Sequence, residues 1–232
     1  MAAKECVIVG NGLSIFTGEY GLFIDAAERV VRVKQNWLLT HKSPKHAGTR
    51  LDIQCSTLKT WGMYWKLPIK EYWGYQNFPG QDAKIAHIRD HFGSIPVRLE
   101  SEAIQHWLGI YRKTAKIKGG YQLPGDGFAK EGDEPWFSSG MAAIVMACSA
   151  LNPEQIVLFG FDNLLSGRRD DFKTFHRPAG HIYPPHAWNV ECKMLPLIEK
   201  YYSARIYDGT SDSRHADSGH SETAGNSVAA AG

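Results

Sequence analysis

The regular patterning of the chain begins with Cys6-Val-Ile-Val9, four small and mostly β-branched apolar residues in a row. A continuous run of this kind predicts a short strand buried on both faces, and it ends in the turn Gly10-Asn11-Gly12. A second turn over residues 18–21 and then Ile24-Asp25 lead to Arg29-Val-Val-Arg-Val-Lys34, whose alternation fits a second strand, with a third within residues 48–54. Helical spacing returns over 82–92 and 101–116, the latter placing Ala103, Trp107 and Ile110/Tyr111 on one face. Residues 119–135, rich in Gly, Pro and Asp, predict a long loop. Ser138-Ser139-Gly140 then precedes residues 141–151, small and apolar all round, so the helix they form must be buried, with either serine as its N-cap. Asn152-Pro153 stops that helix, and Gln155-Ile-Val-Leu-Phe-Gly160 predicts another central strand, ending in Gly-Phe-Asp162. A last helix runs on through Leu195 to Tyr202. Strands alternating with helices in this way predict an α/β domain over residues 1–207. Residues 208–232, Ser/Ala/Gly/His-rich with little to bury, predict a flexible tail.

Length and composition sharpen this only a little. At 232 residues, 43% hydrophobic and 22% charged, the chain has the make-up of one globular domain with a single sizeable core. No apolar run is long enough to span a membrane, and Met-Ala-Ala-Lys-Glu lacks the layout of a signal peptide. Cys6, Cys55, Cys148 and Cys192 have no metal-ligand spacing, which favours reduced thiols and a cytoplasmic setting. The formal net charge is +2, but nine basic residues from Arg29 to Lys70 stand against Asp52 alone, a local excess of +8. That run fits either a solvated face or an anionic ligand or acceptor. The same region is dense in aromatics, including Trp37, Trp61, Tyr64, Trp65, Tyr72, Trp73, Tyr75 and Phe78, which suit either a core or stacking on sugar rings and bases.

Three places carry candidate chemistry. The first is Gly10-Asn11-Gly12, since in α/β proteins the crevice beyond the carboxyl end of the first strand is the usual ligand site. Glycines there leave N–H groups uncovered and Asn11 can donate to a phosphate oxygen, although a plain tight turn has the same pattern. The second is the helix start at Ser138, Ser139 and Gly140, which offers free N–H groups to a phosphate or carboxylate; the strand end at Asp162 makes a second junction. The third is the group His176, His181 and His186, followed by Glu191. His186-x4-Glu191 is not the i, i+4 spacing that clamps zinc, so the histidines point to acid–base work or to helix capping.

Together these pieces form a known set. Cys6-Val-Ile-Val-Gly-Asn-Gly, Gly21, Ile24-Asp25 and Val31-Arg32 resemble the large sialyl motif of the sialyltransferases of glycosyltransferase family 29. Ser138-Ser139-Gly140-Met141 through Leu158-Phe-Gly-Phe161 resembles the small motif, and His186-Ala-Trp-Asn-Val-Glu191 the very small one. His181-Ile-Tyr183 is similar to the family's His-Tyr motif, at a shorter distance from His186. The resemblance implies an α/β Rossmann-like fold, a mostly parallel central sheet flanked by helices. It implies sugar transfer from a nucleotide-activated donor, a CMP-sugar, to an acceptor hydroxyl with inversion and without metal or cofactor. The absence of an Asp-x-Asp triplet fits that. By the same analogy the catalytic set is His186 as general base, His181 on the departing phosphate, and Glu191; whether His176 or His181 is the second histidine stays open. The nucleotide set is Gly10, Asn11, Gly12, Lys34, Ser138, Ser139, Gly140 and Asp162.

Departures from the motifs bear on the ligands. Lys34 stands where the family has an asparagine after the arginine, followed by Gln35 and Asn36, and Cys148 is out of place as a disulfide partner for Cys6. Without an anchor, a bacterial or viral (phage) relative is the expected form. The acceptor is a glycan by family default, with a modified base of viral DNA as the alternative raised by the basic run. A nucleotide-binding Rossmann protein without sugar transfer and a non-catalytic binding module are the other readings.

Overall fold

The structure is a computed structural model, and the residues it describes are 4–57, 62, 64, 66–75, 82–99, 102–117, 138–166 and 188–211. In chain order the elements are β1 (Glu5–Val9), α1 (Gly21–Ala26), β2 (Arg29–Val33), α2 (Leu39–Lys42), α3 (Pro44–Ala47), β3 (Ile53–Thr57), β4 (Glu71–Tyr75), α4 (Asp82–Phe92), β5 (Val97–Leu99), α5 (Glu102–Ile117), α6 (Ser139–Leu151), β6 (Gln155–Phe159), α7 (Asp162–Ser166), α8 (Trp188–Tyr202) and β7 (Arg205–Asp208). Short 3-10 helices at Leu13–Phe16 and Lys34–Leu38 follow β1 and β2. The described strands form one seven-stranded sheet in the order β5-β4-β3-β2-β1-β6-β7, and every pair is parallel. The expected α/β architecture with a parallel central sheet is therefore the one observed.

The two faces of the sheet are filled differently. On one face Cys6, Ile8, Val31, Val33, Ile53, Cys55, Ile156 and Leu158 pack under α5, α6 and α8. α6 lies on β1, β2 and β3, and from Met141 to Cys148 it is buried all round, as its composition requires. Asn152 ends it in the left-handed region at φ 46°, a conformation asparagine tolerates, and gives its N–H to Cys148 O at 3.1 Å. On the other face Val7, Val9, Val30, Val157 and Phe159 pack against Ile24 and Ala47, while Tyr72 joins Ile88 and Phe92 in a separate cluster. Between these two clusters lies a polar seam. Arg32, Gln54 and Tyr72 share a register row, and Arg32, Gln54 and Ser56 are fully buried.

Several expectations shift in the structure. The third strand is Ile53–Thr57 rather than a stretch within 48–54. The reason is Asp52, whose carboxylate accepts from Val30 N–H at 3.1 Å and pairs with Arg50 Nε and Lys70 Nζ, each at 2.8 Å, holding the approach to the strand as a braced loop. β4, β5 and β7 carry no distinct sequence pattern: β4 is aromatic with a glycine, and β5 and β7 are three- and four-residue strands at the two sheet edges. β7 takes in Asp208, and a turn continues to Ser211. On α5 the buried row is Ile104, Trp107, Leu108 and Tyr111, with Ala103 and Ile110 at its margin. Tyr64, Tyr72, Trp73 and Tyr75 are core residues rather than ligand platforms, with Tyr72 stacked on Phe92 at 4.6 Å between ring centroids. Trp61, Trp65 and Phe78 lie outside the described residues. The four cysteines are free thiols, and Cys6, Cys55 and Cys148 are sealed in the core.

Candidate functional site

β1 is the pivot of the sheet: β2 to β5 extend from it on one side, β6 and β7 on the other. The order reverses between β1 and β6, and the crevice outside the carboxyl ends of strands at such a reversal is where open α/β sheets bind ligands. Two loops lie side by side there, Gly10-Asn11-Gly12 and Gly160-Phe161-Asp162. Gly10 N–H donates to Phe159 O at 2.7 Å and Gly12 N–H to Gly160 O at 2.8 Å. Asp162 accepts the Ser14 N–H at 3.1 Å and also the Ser14 hydroxyl. A Cβ on Gly10 would lie 2.5 Å from Gly160 O and 3.0 Å from the Phe161 ring, and Gly160 itself has φ 71°. The glycines are therefore needed for loop against loop. The expectation that their N–H groups face a ligand is corrected for Gly10 and Gly12, and Asp162 is engaged by Ser14. Asn11 differs: its Oδ1 is buried with no partner among the described residues.

The start of α6 meets the second of these loops. Ser138 is the N-cap, its Oγ accepting from Met141 N–H at 3.1 Å. Glu191, in the first turn of α8, takes the Ser138 N–H on Oε1 and the Ser138 hydroxyl on Oε2, both at 2.7 Å. Its side chain is fully buried, and that burial pushes the carboxyl up to about 8 against the downward pull of the two Ser138 hydrogen bonds. Ser139 accepts the hydroxyl of Tyr75 at the end of β4, whose own ionisation burial pushes far up. Gly140 admits the Phe161 ring, since a Cβ there would lie 2.6 Å from it.

A second brace reaches the glycine loop from β2. Fully buried Arg32 donates from Nε to Arg50 O at 2.7 Å, from Nη2 to Ala47 O at 2.8 Å, and from Nη1 to Asn36 Oδ1 at 2.8 Å. Asn36 in turn donates from Nδ2 to Gly10 O. Burial lowers the Arg32 pKa to about 10, with Asp25 and Asp52 pulling it back up, so the guanidinium stays charged at neutral pH. Lys34 follows β2 in the left-handed region at φ 51°, and its carbonyl accepts from Gln54 Nε2 at 2.8 Å. Part of the basic run is structural: Arg32 is buried, Arg50 and Lys70 pair with Asp52, and Lys45 pairs with Glu19, while Arg29, Lys42, Lys45 and Lys70 remain on the surface.

The structure brings Gly10, Asn11, Gly12, Ser138, Ser139, Gly140, Asp162 and Glu191 to one edge of the sheet, with Lys34 at the end of the neighbouring strand. His176, His181 and His186 lie outside the described residues. Sequence reasoning passes over Ser14, Asn36 and Tyr75 as site residues: Ser14 touches this set through its N–H and its hydroxyl, Asn36 and Tyr75 through one hydrogen bond each, and no local pattern announces them. Among the described residues no three His, Cys, Asp or Glu side chains converge on a metal-sized site, and no helix is long and apolar enough to cross a membrane.

Comparison with solved structures places this architecture. A mammalian sialyltransferase in complex with Gal-beta-1-3GalNAc-ortho-nitrophenol superposes with a TM-score of 0.51 at 16% identity, over 89% of this chain and 70% of the other. A second mammalian sialyltransferase structure gives 0.51 at 14% identity with the same coverage. The chain has a sialyltransferase-like fold. No protein-family model matches the sequence, and a search of curated proteins finds no match. The likeness that these comparisons show is one of fold.

Proposed function

We propose that the protein is a metal-independent, inverting glycosyltransferase that moves a sugar from a nucleotide-activated donor, a CMP-sugar, to an acceptor hydroxyl. One observation carries this reading: three motif pieces far apart in sequence, around Asn11, Ser138 and Glu191, meet at the switch point of a sialyltransferase-like sheet. The nucleotide lies against Asn11 and the start of α6 at Ser139 and Gly140, with Lys34 as a further phosphate contact. The acceptor oxygen attacks the anomeric carbon from the side opposite the phosphate; the bond to the phosphate oxygen breaks and the configuration inverts. His186, two positions before the first residue of α8, takes the hydroxyl proton, and His181 hydrogen-bonds or protonates the departing phosphate. Groups of these two kinds are each worth about two to four decades in rate. Glu191 acts as a positioning residue: with both oxygens on Ser138 it sets the helix start that the nucleotide meets. The acceptor in this reading is a glycan, the default of the family whose motifs the chain resembles.

The experiment is a thermal-shift screen of nucleotides and nucleotide sugars, followed by a transfer assay with the binder. A ligand at a hundred times its Kd adds about 2.7 kcal/mol of stability. Stabilisation by CMP and its sugars above other nucleotides is expected. A protein indifferent to all of them would overturn the reading.

A further inference from the structure

We propose that Asn36 is a positioning residue for the nucleotide site, holding the glycine loop by its Gly10 carbonyl while Arg32 holds Asn36. The inference rests on the reading above, in which the loop carries the nucleotide. The chain of contacts is continuous: Arg32 Nη1 to Asn36 Oδ1 at 2.8 Å, then Asn36 Nδ2 to Gly10 O. Arg32 and Asn36 are both fully buried. An arginine has no acceptor atoms, so its contact can only be to the amide oxygen, and this leaves the NH2 group toward Gly10. The orientation of Asn36 is therefore set by the guanidinium, which is itself anchored at both remaining corners by Arg50 O and Ala47 O. On its other side the same loop is tied to β6 through Gly10 N–H and Gly12 N–H. Gly10 is thus gripped by both of its backbone polar groups, its N–H by the end of β6 and its carbonyl by the 3-10 helix after β2, and Asn11 is presented from a loop held on both sides. A buried donor aimed at this carbonyl is costly to leave unmade, since either partner left unpaired inside the fold keeps its full desolvation penalty.

Asn36→Asp separates the two contacts. The carboxylate keeps the Arg32 partner, now as an ion pair that holds it ionised, but it cannot donate to Gly10 O and repels it. Asn36→Ala removes both contacts without adding charge and is the second arm. Three readouts at pH 8 are needed on the full chain: melting temperature, hydrogen exchange of the backbone amides of residues 10–14, and the Kd of whichever of CMP, UMP, GMP or AMP binds the wild type. Asn36→Asp should melt within a few degrees of wild type, exchange the Gly12 amide at least tenfold faster while α6 and β6 amides keep their rates, and bind the nucleotide at least tenfold more weakly. Asn36→Ala should show the same loop exchange and the same affinity loss with a lower melting temperature. A folded variant of either kind with wild-type loop exchange and wild-type Kd would overturn the positioning role while leaving the glycosyltransferase reading intact. A wild type that binds none of the four nucleotides would overturn both.

Discussion

The two sides of the switch point are held by opposite chemistry. On the β2 side a cation and a neutral amide reach a carbonyl, Arg32 through Asn36 to Gly10. On the α8 side a buried carboxyl reaches an N–H and a hydroxyl, Glu191 to Ser138. Each brace matches what its target lacks: a turn with an unpaired C=O needs a donor, and a helix start with unpaired N–H groups needs an acceptor. The difference matters because only the second brace titrates near neutral pH. Loop geometry on the nucleotide side should be indifferent to pH, while the helix start on the α8 side should not.

The sharpest division between the two sides is functional. If the α8 side carries the chemistry and the loop side the nucleotide, His186→Ala should cut turnover by at least about 100-fold with donor affinity nearly unchanged. Steady-state kinetics together with a donor titration make the check, and near wild-type transfer by a folded, donor-binding variant would sink the assignment. The next effect is on stability and belongs to the seam between the loops. Gly10→Ala places a methyl 2.5 Å from Gly160 O, a backbone atom that cannot step aside. A loss of about 3 kcal/mol is expected from denaturant melts, at the upper end for overpacking. A variant as stable as wild type would mean that the loops are not pressed together.

What the sequence disclosed follows the same line. The apolar face could be read directly: Cys6 to Val9, the all-round apolar helix α6 and Gln155 to Phe159 are runs whose burial has no other explanation. The polar seam could not. Arg32 looked like one cation in a basic run, and nothing local says that it points inward to carbonyls that sit 15 and 18 residues further on. The glycines were legible as a loop, but their reason was not, because it lies in residues 160–162, some 150 positions away. β5 and β7 hid for a third reason: an edge strand of three or four residues carries too few positions to show a period.

Asn11 tests the loop side alone. Its Oδ1 is buried without a partner among the described residues, so removing that atom breaks no hydrogen bond there. Asn11→Ala should leave the melting temperature almost unchanged and weaken nucleotide binding by about 1.5–3 kcal/mol, the range for a hydrogen bond to a charged group. The loss should be the same at pH 6 and pH 9, since neither Asn11 nor the amide brace behind it titrates. Calorimetric titration of both proteins at both values makes the check, and unchanged affinity would remove Asn11 from the site.

Glu191 gives the effect that most directly separates the two braces. In the folded protein burial lifts its carboxyl from 4.5 to about 8, so between those values the folded state holds a proton that the unfolded chain has released. The contribution to stability is therefore fully present below about pH 4.5, declines as pH rises through the window by up to about 1.4 kcal/mol per unit, and is gone above about pH 8. Asp52 works in the reverse sense: burial alone would raise it, but Lys70, Arg50 and the Val30 N–H outweigh that and hold it below its ordinary value. Its contribution is lost only as pH falls through the lower carboxylate range, outside the window of Glu191. Glu191→Gln keeps the shape of the protonated acid, with one oxygen to accept the Ser138 N–H and an NH2 group to donate to Ser138 Oγ. Melting temperatures of the two proteins from pH 5 to pH 9 should diverge steadily, the variant gaining on wild type as pH rises. Everything else that titrates is common to both and cancels in the difference. Parallel curves would mean that Glu191 stays ionised throughout, held by Ser138 and the α6 helix start against its burial, and the contrast between a titrating and a non-titrating brace would be lost.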